Sequence, residues 1–199
     1  MRGLSYKGSG LADSGMPMHN LNSVYEGGGY KYPGIKFYQG EYRHRHLINA
    51  GDVVVANTEQ GHDHLLIGYP AIVPKRFGDQ GLFSHHLYRV RPKPGSPLTA
   101  RYIYQAMMSS RLRDEIIGHT NGTTVNMLPV SGLEMSRVVV PPTKLVQRFD
   151  ALAKAIFDRI ELMHDVNPTL AALRDTLLPK LISGELRIAD AERIIERAV

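Results

Sequence analysis

The chain has 199 residues, 43% hydrophobic and 22% charged, a balance that suits a globular protein with a sizeable core. It contains no cysteine, which excludes disulfides and thiolate zinc sites and agrees with a reducing compartment. The net charge of +5 favours an anionic partner, and neither a leader pattern nor an apolar run near the ~20 residues of a membrane span is visible, so a cytoplasmic protein is expected.

Residues 1 to 50 are rich in Gly, Tyr, His and Lys, with turn signals at Gly27-Gly28-Gly29, Pro33-Gly34 and Gly40. They read as loops with short strands, a kind of segment that wraps a scaffold or presents side chains to a ligand. From Gly51-Asp52 the pattern turns to strand, with Val53 to Ala56 a β-branched run buried on both faces. Residues 57–61 then form a polar loop, residues 65–73 a strand ended by Pro74, and residues 82–90 another strand.

Ser96-Pro97 opens a helix that runs to about Ile117 and stops at Gly118, with Ile103, Met107, Leu112 and Ile116 facing the core. Asn121-Gly122 turns the chain into a brief strand, Ser131 to Glu134 has capping-box spacing for one helical turn, and Arg137 to Val140 is a last strand.

The most informative stretch follows Pro141-Pro142. Phe149, Leu152, Ile156, Ile160, Met163, Leu170, Leu173, Leu177 and Leu181 succeed one another mostly at helical steps, which places them on one stripe. Thr143 marks the start and Ser183-Gly184 the end, a helix of about 40 residues or about 60 Å. Asn167-Pro168 predicts a kink or a break, and because the stripe resumes in phase, one kinked rod is favoured. The remainder of the chain is too small to cover such a rod, so part of the stripe should pair with another helix as a coiled coil. Residues 185–199 add a tail or short helix.

Chemistry-bearing motifs are sparse. There is no G-x-G-x-x-G and no G-K-[ST] loop. Asn167-Pro168-Thr169-Leu170 shares only two letters with an amino-methyltransferase tetrad, and Glu185-Leu186-Arg187 is half a nuclease motif without its partner strand. The pairs His44/His46 and His62/His64 put two imidazoles on one face if extended, and His44-Arg45-His46 is similar to a cupin metal motif, although the expected glutamate is missing and the arginines repel a cation. A cupin-like metal enzyme is the alternative reading. Otherwise no catalytic residue, metal site or cofactor is assigned.

The string from Leu170 to Leu186, LAALRDTLLPKLISGEL, closely resembles the conserved helix end of specificity (S) subunits of Type I restriction-modification enzymes. Upstream, Gly51-Asp52-Val53-Val54-Val55, Gly122-Thr123-Thr124-Val125 and Val139-Val140-Pro141-Pro142 with Gln147 resemble that family's target recognition domain and its exit into the helix. The resemblance implies an α+β fold: a globular mixed α/β target recognition domain over residues 1–142, then a long, kinked coiled-coil helix over 143–184. A full S subunit carries two such domains and two helices, so this chain resembles a half subunit or a C-terminal portion. The resemblance also implies a non-catalytic protein, a homodimer through the rods, double-stranded DNA as ligand, and methyltransferase (M) and restriction (R) subunits as partners.

From residue type and loop position alone, Lys31, Lys36, Arg43, Arg45, Lys75 and Arg76 are the candidate contacts to phosphates and guanine edges. Tyr30, Asn57, Gln60 and Thr123 are candidates for further hydrogen bonds to DNA.

Overall fold

Val53–Ala56 forms a strand whose four side chains are all inaccessible to solvent. Side chains alternate between the faces of a strand, so this one is stable only between two covering layers. The computed structural model describes residues 1–60, 63–122 and 124–198, the last five by backbone alone. Its strands are β1 (Leu11–Ala12), β2 (Met16–His19), β3 (Lys36–Tyr38), β4 (Leu47–Asn49), β5 (Val53–Ala56), β6 (Thr58–Gln60), β7 (Pro70–Ile72), β8 (Gln80–Phe83), β9 (Leu87–Val90) and β10 (Val125–Met127). Its α-helices are α1 (Ala100–Met107), α2 (Ser110–Ile117), α3 (Val130–Met135), α4 (Thr143–Ile182) and α5 (Ile188–Ala198). The chain divides into two compact units, Met1–Lys154 and Ala155–Val199.

In the first unit β5 is the centre of an antiparallel sheet ordered β7-β5-β9, beside a five-stranded sheet ordered β1-β3-β2-β8-β4 in which β2 and β8 run parallel. One face of β5, Val54 and Ala56, packs with Ala71 and Leu87 onto Ile48 and Phe83 of the larger sheet. The other face, Val53 and Val55, meets Met107 of α1 and Leu112 and Ile116 of α2. Leu4, Met18, Tyr38 and Leu82 form a third core on the larger sheet. The result is the expected α+β architecture, with helices on one side of a central sheet and a second sheet on the other.

Several elements depart from the sequence expectation for identifiable reasons. Residues 65–69 do not join the strand that precedes Pro74; Gly68 takes φ +80 and the amides of Leu65 and Ile67 bind a side chain instead of a ladder. The polar residues 58–60 are the strand β6, paired with β10 (Thr58↔Met127, Gln60↔Val125), a long-range pairing that no local pattern announces. Residues 82–90 are two strands in different sheets, because a turn at 84–86, closed by the Leu87 N–H to the Ser84 carbonyl at 3.0 Å, passes the chain between layers. The helix expected over 96–117 starts later, with the Thr99 hydroxyl accepting the Tyr102 N–H at 3.2 Å, and is divided at Ser109, whose backbone is extended. Residues 137–140 form no strand, and Val139 and Val140 are exposed.

α4 is a 40-residue helix with Pro168 and Pro179 inside it, so Asn167-Pro168 does not break it. Proline costs one backbone hydrogen bond there, and both prolines are exposed, where water can satisfy the freed carbonyl. In the second unit α4 ends in a turn with Gly184 at φ +74 and the Leu186 N–H donating to the Lys180 carbonyl at 3.0 Å, which leads into α5.

Candidate nucleic-acid interface

A buried aromatic cluster anchors two of the cationic loops. Tyr30 lies edge-on to Tyr32, with ring centroids 5.2 Å apart, and both lie about the Phe77 ring at 6.0 and 6.1 Å. The Tyr30 hydroxyl and His19 Nδ1 are hydrogen-bonded at 2.6 Å, with His19 only 2% exposed. Burial pushes the His19 pKa down to about 4 and the Tyr30 phenol upward, so both are neutral at pH 7. The approach to Tyr30 is the turn 25–29, in which Gly27, Gly28 and Gly29 all have left-handed φ. Gly28 has φ +90, a backbone conformation strained for any residue with a Cβ, and it sits beside the Met108 side chain at the end of α1.

On this base stand Lys31, Lys75 and Arg76, all exposed. Lys31 lies over the Tyr25 ring at 5.8 Å, and Lys75 makes a solvent-exposed pair with Asp79 at 3.9 Å. Lys75 and Arg76 sit in the short turn Lys75–Phe77, whose third residue is the aromatic anchor. The sequence signal for three of the six candidate cations thus resolves into one constructed feature: short turns, each tied to the core by its neighbouring aromatic residue, holding charges outward.

Arg43, His44 and Arg45 are exposed in and beside the 3-10 turn His44–His46 that enters β4, and Lys36 is half-buried in β3. His46 turns inward and its Nδ1 accepts the Arg43 N–H at 3.2 Å. Burial, then Arg45 and Arg43, lower its pKa. This geometry corrects the cupin-like reading. One imidazole of the His44/His46 pair is exposed and the other capped inside a turn, so they do not share a face as they would in a strand. His62 lies outside the described residues, and His64 is engaged by Asn126 Nδ2 at 2.9 Å. Among the described residues no three His, Asp or Glu side chains come together as a metal site.

Two of the remaining candidates lie at the β6–β10 ribbon. Gln60 is exposed at its end, Asn57 is buried with its amide donating to the His85 carbonyl at 3.0 Å, and Thr123 lies outside the described residues. Burial of Tyr30 and Asn57 keeps both from direct contact with a duplex in this conformation. A network absent from the sequence reading orders the adjoining loop. The buried Glu59 carboxylate accepts the N–H groups of Leu65 at 2.8 Å and Ile67 at 3.1 Å. Arg113 of α2 stacks on Tyr69 at 3.3 Å, donates to the Ile67 carbonyl at 3.0 Å and also to the His64 carbonyl. His64, held between them, has φ +52, an uncommon conformation for a residue with a Cβ. Nothing local marks Glu59 or Arg113 in the sequence, since each acts on residues that only the fold brings near.

The helix stripe is shared among different neighbours. Phe149 packs edge-on against Tyr102 at 5.7 Å, inside the first unit. Leu152 and Ile156 are 71% and 60% exposed, and Ile160 and Leu170 are exposed as well. Met163 is half-buried. In the second unit Leu170, Leu173, Leu177 and Leu181 line one groove with Ala191 of α5, and Leu177 is buried.

No protein-family model matches the chain. The specificity subunit of the Type I restriction enzyme MjaIX of Methanocaldococcus jannaschii is 32% identical over 95 residues, which is 48% of this chain and 22% of that protein. Among solved structures, the S subunit of a Type I restriction-modification system from M. genitalium matches with TM-score 0.54 and 18% identity over 92% of this chain and 42% of that one. The HsdS subunit of Thermoanaerobacter tengcongensis matches with TM-score 0.50 and 15% identity over 89% of this chain and 45% of that one. The chain therefore spans less than half the length of each of these relatives. In sequence over about half its length and in fold over about nine-tenths, it resembles the specificity subunits of Type I restriction-modification systems.

Proposed function

We propose that the chain is a DNA-specificity subunit of a Type I restriction-modification system, or part of one. Residues 1–142 act as the target recognition domain and read one half of a split duplex site. Residues 143–184 form the rod that pairs with a second copy, and residues 185–199 close its end. In this reading methyl transfer and cleavage are carried out by partner M and R subunits, and the chain directs them to the site. The 32% identity to a specificity subunit carries the proposal. Two physical features support it: outward cations on rigid turns suit phosphate contact, and an exposed apolar face on α4 suits a helical partner.

The proposed contacts are Lys31, Lys36, Arg43, Arg45, Lys75 and Arg76, together with Gln60 and Thr123. Tyr30 and Asn57 serve by shaping the loops. The test is duplex binding by the chain assembled with its M subunit, measured across a salt series. Replacing Arg43 and Arg45, or Lys75 and Arg76, by alanine is expected to weaken binding and to reduce the slope of log affinity against log salt by about two for each pair. Unchanged affinity and slope would remove those residues from the interface, and a wild-type assembly that methylates no split motif would refute the function.

A further inference from the structure

α4 begins after residues 136–142, which make no strand or helix and end in Pro141 and Pro142. Such a connection leaves the start of a helix free to swing unless side chains pin it. Here they do. Val146 and Ala153 are 1% and 7% exposed, Phe149 meets the Tyr102 ring at an interplanar angle of 86°, and Asp150 accepts from Arg101 Nη1 at 3.0 Å to each carboxylate oxygen. The Tyr102 hydroxyl donates to the Val139 carbonyl at 3.0 Å, which ties down the connection itself. Positions 146, 149, 150 and 153 follow i, i+3, i+4, i+7 spacing and so form one face, about a quarter turn from exposed Leu145, Leu152 and Ile156. Arg101, Tyr102, Val139, Val146, Phe149, Asp150 and Ala153 all belong to the first unit.

Apolar contact alone is non-directional and tolerates rocking. An ion pair with side chains 29% and 24% exposed, flanked by an edge-on ring pair, has a defined direction and is partly shielded from water. We infer that the Arg101–Asp150 pair fixes the direction in which α4 leaves the recognition domain and thereby selects the spacer length between the two half-sites. Arg101 and Asp150 are positioning residues, and the inference rests on the proposed two-headed reading of DNA. One added base pair moves a half-site by about 3.4 Å and turns it by about 35°, so a head that rocks through such an angle cannot discriminate adjacent spacers.

The wild-type chain, Asp150→Asn, Arg101→Gln and the charge reversal Arg101→Asp/Asp150→Arg are each expressed with the M subunit, and methylated sites are mapped by sequencing. Wild type is expected to favour one spacer over its neighbours by about tenfold or more. Each single variant should methylate the same half-site sequences with adjacent spacers raised to within about threefold, and the reversal should restore the preference. A single variant that loses methylation yet keeps its melting temperature and its binding to one half-site duplex also supports the inference, whereas loss of half-site binding overturns it. Single variants with the wild-type spacer profile overturn it too. A wild type that methylates no split motif defeats the underlying function instead, and the inference with it.

Discussion

Acidification should loosen the first unit through one residue, His19. In the folded chain burial holds its pKa at about 4, against an ordinary value of 6.5. The native state therefore binds fewer protons than the unfolded state between these values. The stabilising contribution is complete above about pH 6.5 and is lost as the pH falls toward about 4. The full gap is worth about 3 kcal/mol, of which about 2 kcal/mol is lost by pH 5. For a urea dependence of about 2 kcal/mol per molar, the midpoint should fall by about 1 M from this residue alone.

His46 and His86 are also pushed down by burial, so the wild-type slope mixes several groups. Comparing wild type with His19→Gln separates them, because the variant keeps the other histidines. The variant should be the less stable at pH 7.5, having lost the bond to Tyr30, and the difference should shrink by about 2 kcal/mol at pH 5. Urea unfolding followed by circular dichroism at both pH values measures it. A difference that stays constant would refute the reasoning, since it would mean that His19 titrates alike in both states. On the proposed function the consequence extends to DNA binding, because Tyr30, the partner of His19, lies against the rings that anchor the Lys31, Lys75 and Arg76 turns.

Glu59→Gln leaves one oxygen to serve two amides, that of Ile67 buried, a loss of about 1–3 kcal/mol confined to the loop. Hydrogen exchange should quicken at Leu65 and Ile67 while the β5 amides keep their protection, and unchanged exchange would count against the carboxylate as the organiser of this loop. On the proposed pairing the wild type is expected to sediment as a dimer, and Leu152→Glu/Ile156→Glu should make it monomeric at the same concentration, because burying two carboxylates in a helical seam is unfavourable. A wild-type monomer, or a variant that still dimerises, would place the pairing surface elsewhere.

The core strand and the rod were legible because each is specified by its own residues. Val53 to Ala56 is a β-branched run that has few alternatives to a buried strand, and a stripe sustained from Phe149 to Leu181 has few alternatives to a helix. The ribbon was not legible: Thr58, Glu59 and Gln60 become a strand only because residues 125–127 arrive beside them. Likewise Ser84 to His86 reads as strand interior until the chain is seen to change sheets there. For the site, residue type found the cations but not their exposure, so Tyr30 and Asn57 stood among the secondary candidates although both are buried. The residues that order the neighbouring loop, Glu59 and Arg113, were missed for the converse reason: their partners are backbone groups, which a sequence does not display as a pattern.

The rod's apolar stripe, continuous in sequence, is divided in use. Phe149, with Val146 and Ala153, belongs to the first unit's own contacts; Leu173, Leu177 and Leu181 share a groove with α5 in the second. Between these lie Leu152, Ile156 and Ile160, exposed at steps of four. A seam able to hold a second helix need not be long if its ends are already ordered, because the entropy lost on pairing is smaller for a helix that exists beforehand. Charged neighbours on the same turns, Lys154, Asp158 and Arg159, then flank the apolar residues with both signs, as the edges of a helical pair do. On the proposed function, the central part of α4 serves pairing, its first turns orient the domain they are tied to and its last turns pack with α5, three jobs that one periodic pattern cannot distinguish.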